Sequence, residues 1–333
     1  MQRVAEEAGV SASTVSRVLT GKTTVREDLR GAVLQTVDRL AYRPNQVARS
    51  LKVQETLTLG LVINDILNPF YSTIAKGVED QARAAGYSII ICSISEDYQL
   101  ERDALSILHD KLVDGIILAP VGNNNCDILE HLLAVGVRLV QIDRRLPQLK
   151  ASAVLLDNVA GAYEATQHLR ERGHRRIGLV SHIPGRATLV QREQGYTKAL
   201  HDAGLALDKG LICHVAIDMS DLSDLVQRMM TGPSRPTALL VTNNRLAIGV
   251  LRAIKALNLR IPNDIALVVF DDLELFELHT PPITAVAQPV YAMGCKAAKL
   301  LLEQLTNASP IAKQVVTFHA ELIVRDSSGP FLP

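Results

Sequence analysis

From Leu57 onward the chain repeats one pattern: a short, continuous run of apolar, β-prone residues followed by a longer stretch with helical spacing. Such runs fall near 57–63, 87–92, 115–119, 137–142, 176–180, 238–242 and 265–270. A strand that is apolar at every position must be covered on both faces, and strands separated by helices run parallel. The pattern predicts an α/β body of doubly wound parallel sheets. Its roughly 270 residues exceed one such unit, so two similar lobes are expected.

Several function classes lose their support at this stage. No apolar run approaches the roughly 20 residues of a membrane span, and the opening MetGlnArgValAlaGluGluAla lacks an apolar export segment. No membrane partner and a cytoplasmic location are therefore expected. Cys92, Cys126, Cys213 and Cys295 show no CxxC spacing and read as free thiols rather than disulfides or metal ligands. None of the apolar runs is followed by GxGxxG, and neither GxxxxGK[ST] nor HExxH occurs, so no cofactor or metal is expected. Ser181 and His182 lack a GxSxG elbow, which leaves an enzyme with only the α/β fold in its favour.

The formal charge of zero, from 35 basic and 35 acidic residues, is an average over unlike parts. Residues 1–52 hold nine Lys/Arg and five acids, a net +4, so the remainder carries −4. A small basic head is the composition of a polyanion-binding module or of a solvated surface.

Caps and spacing within that head predict three short helices. Val4, Ala5 and Ala8 form one apolar face ended by Gly9. Ser11 then caps AlaSerThrValSerArgValLeu, with Val15, Val18 and Leu19 on one side and Gly21 as the stop. A third helix opens on a capping box from Thr24 to Glu27 and buries Leu29, Val33, Val37 and Leu40. The second helix presents Ala12, Ser13, Thr14, Ser16 and Arg17 away from this core. Small hydroxyls with one arginine suit phosphate contact and guanine reading in a major groove, or a plain solvated face. The segment after Pro44 is about two turns long, too short for a stable isolated helix.

In the body, open α/β sheets bind ligands at the carboxyl ends of their strands. Asn68, Phe70, Tyr71, Asp143, Arg144, Asn243 and Asp271 follow such ends, with Arg192 and Gln288 completing the set. Carboxylates, amides and guanidinium bond adjacent hydroxyls in pairs, and an aromatic ring covers the apolar side of a sugar. Singly, each of these residues also reads as a turn, a cap or an ion-pair member.

The run AlaGluGluAlaGlyValSerAlaSerThrValSerArgValLeuThrGly, with TyrArgProAsnGlnValAlaArgSerLeuLys at 42–52, resembles the helix-turn-helix and hinge of the lactose/galactose-repressor (LacI/GalR) family of bacterial transcription regulators. The likeness continues through AsnProPheTyr (68–71), ValAspGlyIleIleLeu (113–118), IleAspArg (142–144), GlyHisArgArgIleGly (173–178) and PheAspAsp (270–272) into a body similar to periplasmic monosaccharide-binding proteins. The resemblance implies that Ala12, Ser13 and Arg17 face bases while Ser11, Thr14 and Ser16 hold phosphates. It implies a hinge helix, formed on DNA beside its dimer mate, with Leu51 as a minor-groove wedge, Arg49 and Lys52 as added charge, and Asn45 and Ala48 in the same contact set. Asn68, Phe70, Asp143, Arg144, Arg192, Asn243, Asp271 and Gln288 match pocket positions. Departures stand at Asn244, where an acid is usual, and at Val269, where a glycine is common.

These observations predict a helix-turn-helix domain over 1–43, a hinge and linker over 44–56, and an effector and dimerisation body over 57–333. Its first lobe is expected at about 57–157 and 287–316, its second at about 158–286 and 317–329. The expected function is a homodimeric repressor of carbohydrate-utilisation genes that binds a palindromic operator under control of a sugar or sugar acid. A sugar receptor without a DNA function is the alternative.

Overall fold

The computed structural model describes residues 1–19, 25–42, 55–183, 185–232, 235–307 and 312–330. The chain divides into two compact units, Met1–Thr56 and Leu57–Pro333. In the first, α1 (Gln2–Glu7), α2 (Ala12–Leu19) and α3 (Glu27–Arg39) enclose Val4, Ala5, Val15, Val18 and Val33. Gly9 turns the chain at φ 66°, and the Ser11 hydroxyl accepts the Thr14 amide at 3.2 Å, capping α2 as its sequence predicts. The third helix differs from expectation. It begins at Glu27, with Arg26 at the cap and no side-chain cap bond, while Thr24 lies outside the described residues. Leu29 is exposed rather than buried; α3 meets the core through Val33, with Val37 and Leu40 partly buried against it. Thr36 is buried in the same helix, its hydroxyl donating to the Ala32 carbonyl at 2.9 Å. The expected hinge residues Asn45, Ala48, Arg49, Leu51 and Lys52 lie outside the described residues.

Among the described residues, the second unit holds two six-stranded sheets. The first contains β1 (Thr58–Ile63), β2 (Ser88–Ser93), β3 (Gly115–Leu118), β4 (Arg138–Ile142), β5 (Ser152–Leu156) and β11 (Val315–Phe318). The second contains β6 (Ile177–His182), β7 (Ile212–Val215), β8 (Ala238–Val241), β9 (Ala266–Phe270), β10 (Thr284–Ala287) and β12 (Glu321–Ile323). Leaving out β11 and β12, the orders β5-β4-β3-β1-β2 and β10-β9-β8-β6-β7 are the same topology. Every described pairing is parallel except β10 with β12, an antiparallel edge. In each sheet the order reverses beside the first strand, and the crevice outside that point is where such folds take ligands.

The chain passes between the sheets three times: after β5, after β10, and between β11 and β12. Because β11 runs through Phe318 beside β5, residues 317–318 belong with the first sheet rather than with the second lobe as expected. The central strands β3, β8 and β9 are buried at every residue, which is why their apolar runs are continuous.

Helices α4 (Pro69–Ala84) and α12 (Val290–Thr306) cover one face of the first sheet, and α7 (Asn158–Glu171) and α8 (Ala187–Asp202) one face of the second. Both pairs touch backbone to backbone. A Cβ on Gly77 of α4 meets the Tyr291 carbonyl oxygen at 2.5 Å, and Gly294 of α12 is as tightly placed against Ile74. Gly77→Ala is expected to cost about 1–3 kcal/mol, as overpacked cores do, read as a lower urea midpoint at unchanged slope. An unchanged midpoint would contradict the close crossing.

Candidate functional site

A cavity of about 380 Å³ lies between the two sheets of the second unit. All nine body residues singled out from the sequence line it: Asn68, Phe70, Tyr71, Asp143, Arg144, Arg192, Asn243, Asp271 and Gln288. Two of them stand at equivalent places. Asp143 follows β4 and Asp271 follows β9, each with positive φ (66° and 73°), and each gives its amide to the next strand, at Val154 O and Val286 O, both at 3.0 Å. Left-handed backbone is rare outside glycine, and such residues gather where function needs a side chain aimed off the regular path. Here it turns one carboxylate from each lobe into the cavity.

Around Asp143 the side chains form a chain of bonds. Asn64 donates to the Tyr71 hydroxyl at 2.8 Å, and that hydroxyl donates to Asp143 Oδ2 at 3.2 Å. Tyr71 thus steadies Asp143. Phe70, meeting Tyr71 edge to face at 4.9 Å, supplies an apolar wall. Burial pushes the Asp143 carboxyl above the usual carboxylate range, in spite of Arg144 and Arg192 nearby. Arg144 is not free for a ligand's carboxylate: its two terminal nitrogens reach Glu96 at 2.8 and 2.6 Å. Burial opposes ionisation of Glu96, but Arg144 and then Arg186 outweigh it and hold that carboxyl below its ordinary value.

On the other lobe Arg192 stacks 3.7 Å above the Phe270 ring while bonding Asn158 Oδ1 at 2.8 Å and the Thr242 carbonyl at 2.5 Å. Asp271 accepts the Asn244 amide at 3.1 Å and the Gln288 side chain at 2.5 Å. Asn68 caps α4 through the Phe70 amide at 3.0 Å, and Asn243 caps α10 (Asn244–Ala256) through Leu246 at 2.9 Å. The cap reading and the pocket reading hold at the same residues, because a helix that starts at a strand end puts its cap at the cavity rim. Val269, by contrast, is core rather than pocket wall, buried between Val241 and Ala285 partners.

Sequence reasoning missed Asn64, Ser95, Glu96, Arg186 and Arg245 and marked Asn244 only as a departure; all six line the cavity. Asn64 and the pair Ser95 and Glu96 follow β1 and β2, so the strand-end rule used elsewhere would have found them. Asn244 bonds Asn68 from lobe to lobe at 2.8 Å, and Arg186 reaches Glu96 at 3.3 Å. Four acids (Asp65, Glu96, Asp143, Asp271) and four arginines (Arg144, Arg186, Arg192, Arg245) line the cavity, so its formal charge is zero. His182 adds none at neutral pH, since burial, then Arg186, depress its pKa. Three buried polar atoms there, Asn64 Oδ1, Arg144 Nε and Gln288 Oε1, have no hydrogen-bond partner. Unmet groups of this kind collect at binding sites.

In the first unit, Ser11, Ala12, Ser13 and Arg17 are exposed and Thr14 and Ser16 half-exposed, while Val15 and Val18 face the core. The Ser11 hydroxyl also bonds those of Ser13 at 2.7 Å and Thr14 at 2.9 Å, gathering three hydroxyls at the start of α2. Among the described residues, no group of His, Cys, Asp or Glu could hold a metal ion, and no helix is long and apolar enough to cross a membrane.

A helix-turn-helix unit followed by a two-lobed body with a polar cleft defines a ligand-responsive transcription regulator. Two family descriptions match in chain order: "Bacterial regulatory proteins, lacI family" over residues 1–45 and "Periplasmic binding protein-like domain" over 166–328. The ribose operon repressor of Haemophilus influenzae is 34% identical over 92% of this chain and 92% of its own. A solved regulator from Enterococcus faecium with bound ribose is 26% identical, covering 83% of this chain and 100% of that one, with a TM-score of 0.75. The lac repressor dimer bound to operator and an anti-inducer shares the fold over 98% of both chains at TM-score 0.85 and 24% identity. The chain belongs to the lacI family of bacterial transcription regulators, DNA-binding proteins that respond to small-molecule effectors and are not enzymes. The match over residues 1–45 sets aside the sugar receptor without a DNA function.

Proposed function

We propose that this regulator represses carbohydrate-utilisation genes in the cytoplasm. It binds a palindromic operator as a homodimer, and a neutral sugar of the pentose or hexose class controls its affinity. The cavity carries the reading: hydroxyl-accepting carboxylates from both lobes, an apolar ring, and arginines already matched by acids. A neutral polyol meets every one of those demands, whereas a sugar acid adds an unmatched charge. Two observations on relatives agree with it, a ribose operon repressor by name and a ribose-bound regulator. Operator contact falls to Ser11, Ala12, Ser13, Thr14, Ser16 and Arg17, with the hinge residues Asn45, Ala48, Arg49, Leu51 and Lys52. One reading helix spans a half-site, so two-fold pairing on a palindrome follows from geometry.

The test is a thermal-shift panel of neutral sugars, aldonates and sugar phosphates, followed by operator titration with the best ligand. A neutral sugar at 100 times its Kd is expected to add about 2.7 kcal/mol of stability. It should also change operator affinity by the factor by which operator changes sugar affinity. Stabilisation by anionic sugars alone would overturn the neutral-sugar reading.

A further inference from the structure

We infer that Glu96 sets the charge of the ligand this cavity accepts: its carboxylate occupies Arg144 and Arg186, one from each lobe, and so excludes aldonates and sugar phosphates in favour of neutral sugars. The inference rests on the reading of this cavity as the effector site.

Geometry carries it. A guanidinium binds a carboxylate or phosphate best with two parallel N–H groups. On Arg144 both terminal nitrogens already point at Glu96, at 2.8 and 2.6 Å. Arg186, from the opposite lobe, turns its Nε to the same carboxylate at 3.3 Å. Arg192 has Nε and one terminal nitrogen committed to Asn158 and Thr242, and Arg245 lies 3.9 Å from Asp65. An anionic ligand seated on the terminal nitrogens of Arg144 must therefore displace Glu96, and one seated on the remaining donors of Arg186 lies beside it. Displacement strands a carboxylate in a largely buried place, which is costly; the second course sets like charges together. A neutral sugar does neither, and it gives its hydroxyls to Asp143 and Asp271.

The loop is shaped for this position. Ser95 and Glu96 follow β2 in consecutive left-handed conformations, φ 47° and 61°, which carries Glu96 off the strand path and over the cleft. The Ser95 amide is tied to the Asn64 carbonyl at 2.6 Å, and the next residue, Asp97, caps α5 (Tyr98–Asp110) through Gln99 and Leu100. The carboxylate is thus held between two anchored neighbours.

The experiment is calorimetric titration of the full chain, without DNA, with D-ribose and with D-ribonate, for wild type, Glu96→Gln and the double variant Glu96→Gln/Arg186→Gln. Glutamine keeps the size of the side chain and removes its charge, leaving the cavity at +1. Glu96→Gln is expected to bind ribonate at least tenfold more tightly than wild type does, and the double variant to give back most of that gain. Equal ribonate affinity in wild type and Glu96→Gln overturns the inference, as does a wild type that binds ribonate as tightly as ribose. If Glu96→Gln does not fold, Glu96→Asn reads the same charge change on a shorter side chain. Failure of the wild type to bind any neutral sugar, beside a ribonate gain in Glu96→Gln, would sink the neutral-sugar reading while supporting the role of Glu96.

Discussion

Replacing Arg17 with alanine is expected to cut discrimination between an operator and random duplex by at least an order of magnitude while leaving effector affinity unchanged. The expectation follows from what surrounds Arg17 on its helix. Val15 and Val18 are spent on the core, and the exposed side chains Ala12 and Ser13 are too short to reach far into a groove. The hydroxyls of Ser11, Ser13 and Thr14 form a cluster suited to phosphate oxygens, which positions the helix but carries no sequence information. Direct reading of a guanine then falls to Arg17, whose loss costs about 1–3 kcal/mol per bidentate contact. In a two-fold complex the cost is paid in both half-sites, roughly 2–6 kcal/mol in all, or about thirtyfold to more than ten-thousandfold. Non-specific affinity, set by counterion release, should fall by far less. Anisotropy titrations on a palindrome selected in vitro, at two salt concentrations, check both. Operator affinity within twofold of wild type would remove Arg17 from the reading role.

How much of this was legible before the structure depended on the composition and setting of each element. Strands buried on both faces announced themselves: β1, β3, β8 and β9 are runs in which nearly every side chain is apolar. The strands that passed unread, β5, β7, β10, β11 and β12, are three to five residues long and dilute their apolar residues with Ser, Thr, His, Ala or Glu. Edge position explains the polar content of β7, β11 and β12, since each has a neighbour on one side only. Likewise Leu29 read as core because its spacing from Val33 is helical, yet spacing does not report where a small core ends. Within the cavity, the strand-end rule found Asp143, Asn243 and Asp271 but was not carried to the ends of β1 and β2, where Asn64, Ser95 and Glu96 stand. Glu96 and Asn244 face Arg144 and Asn68, and a pairing between residues 48 or 176 positions apart leaves no local trace. Such pairings also changed the chemistry: Arg144 and Arg192 read as free cations tolerate a sugar acid, but Glu96 has already claimed the first.

Removing the charge of Asp143 is expected to separate ligand binding from stability in opposite directions. Asparagine is the informative replacement, because it tolerates the left-handed backbone at φ 66° better than alanine does and keeps the shape. Hydrogen bonds from hydroxyls to a charged acceptor are worth about 1.5–3 kcal/mol each. Asparagine puts a donor amide in place of one acceptor oxygen and takes the charge from the other, so losing one to two such bonds weakens the effector by roughly tenfold to ten-thousandfold. The ligand-induced melting shift should vanish while operator binding survives. Without ligand the sign reverses. Burial raises the folded pKa of Asp143 above its unfolded value of 3.8, so the folded chain favours the protonated acid. Its contribution is then most favourable below the unfolded value and declines as pH rises through the folded one. At neutral pH, above the unfolded value, the buried acid is a burden on the empty protein, and Asp143→Asn should melt at or above the wild-type temperature. That advantage should shrink as pH falls toward 3.8 and below, where wild type sheds the charge too. Melting curves from pH 7 to pH 3.5, with and without the best sugar, read both effects. A variant that melts lower at neutral pH and regains stability in acid would show that Asp143 serves the fold rather than the ligand.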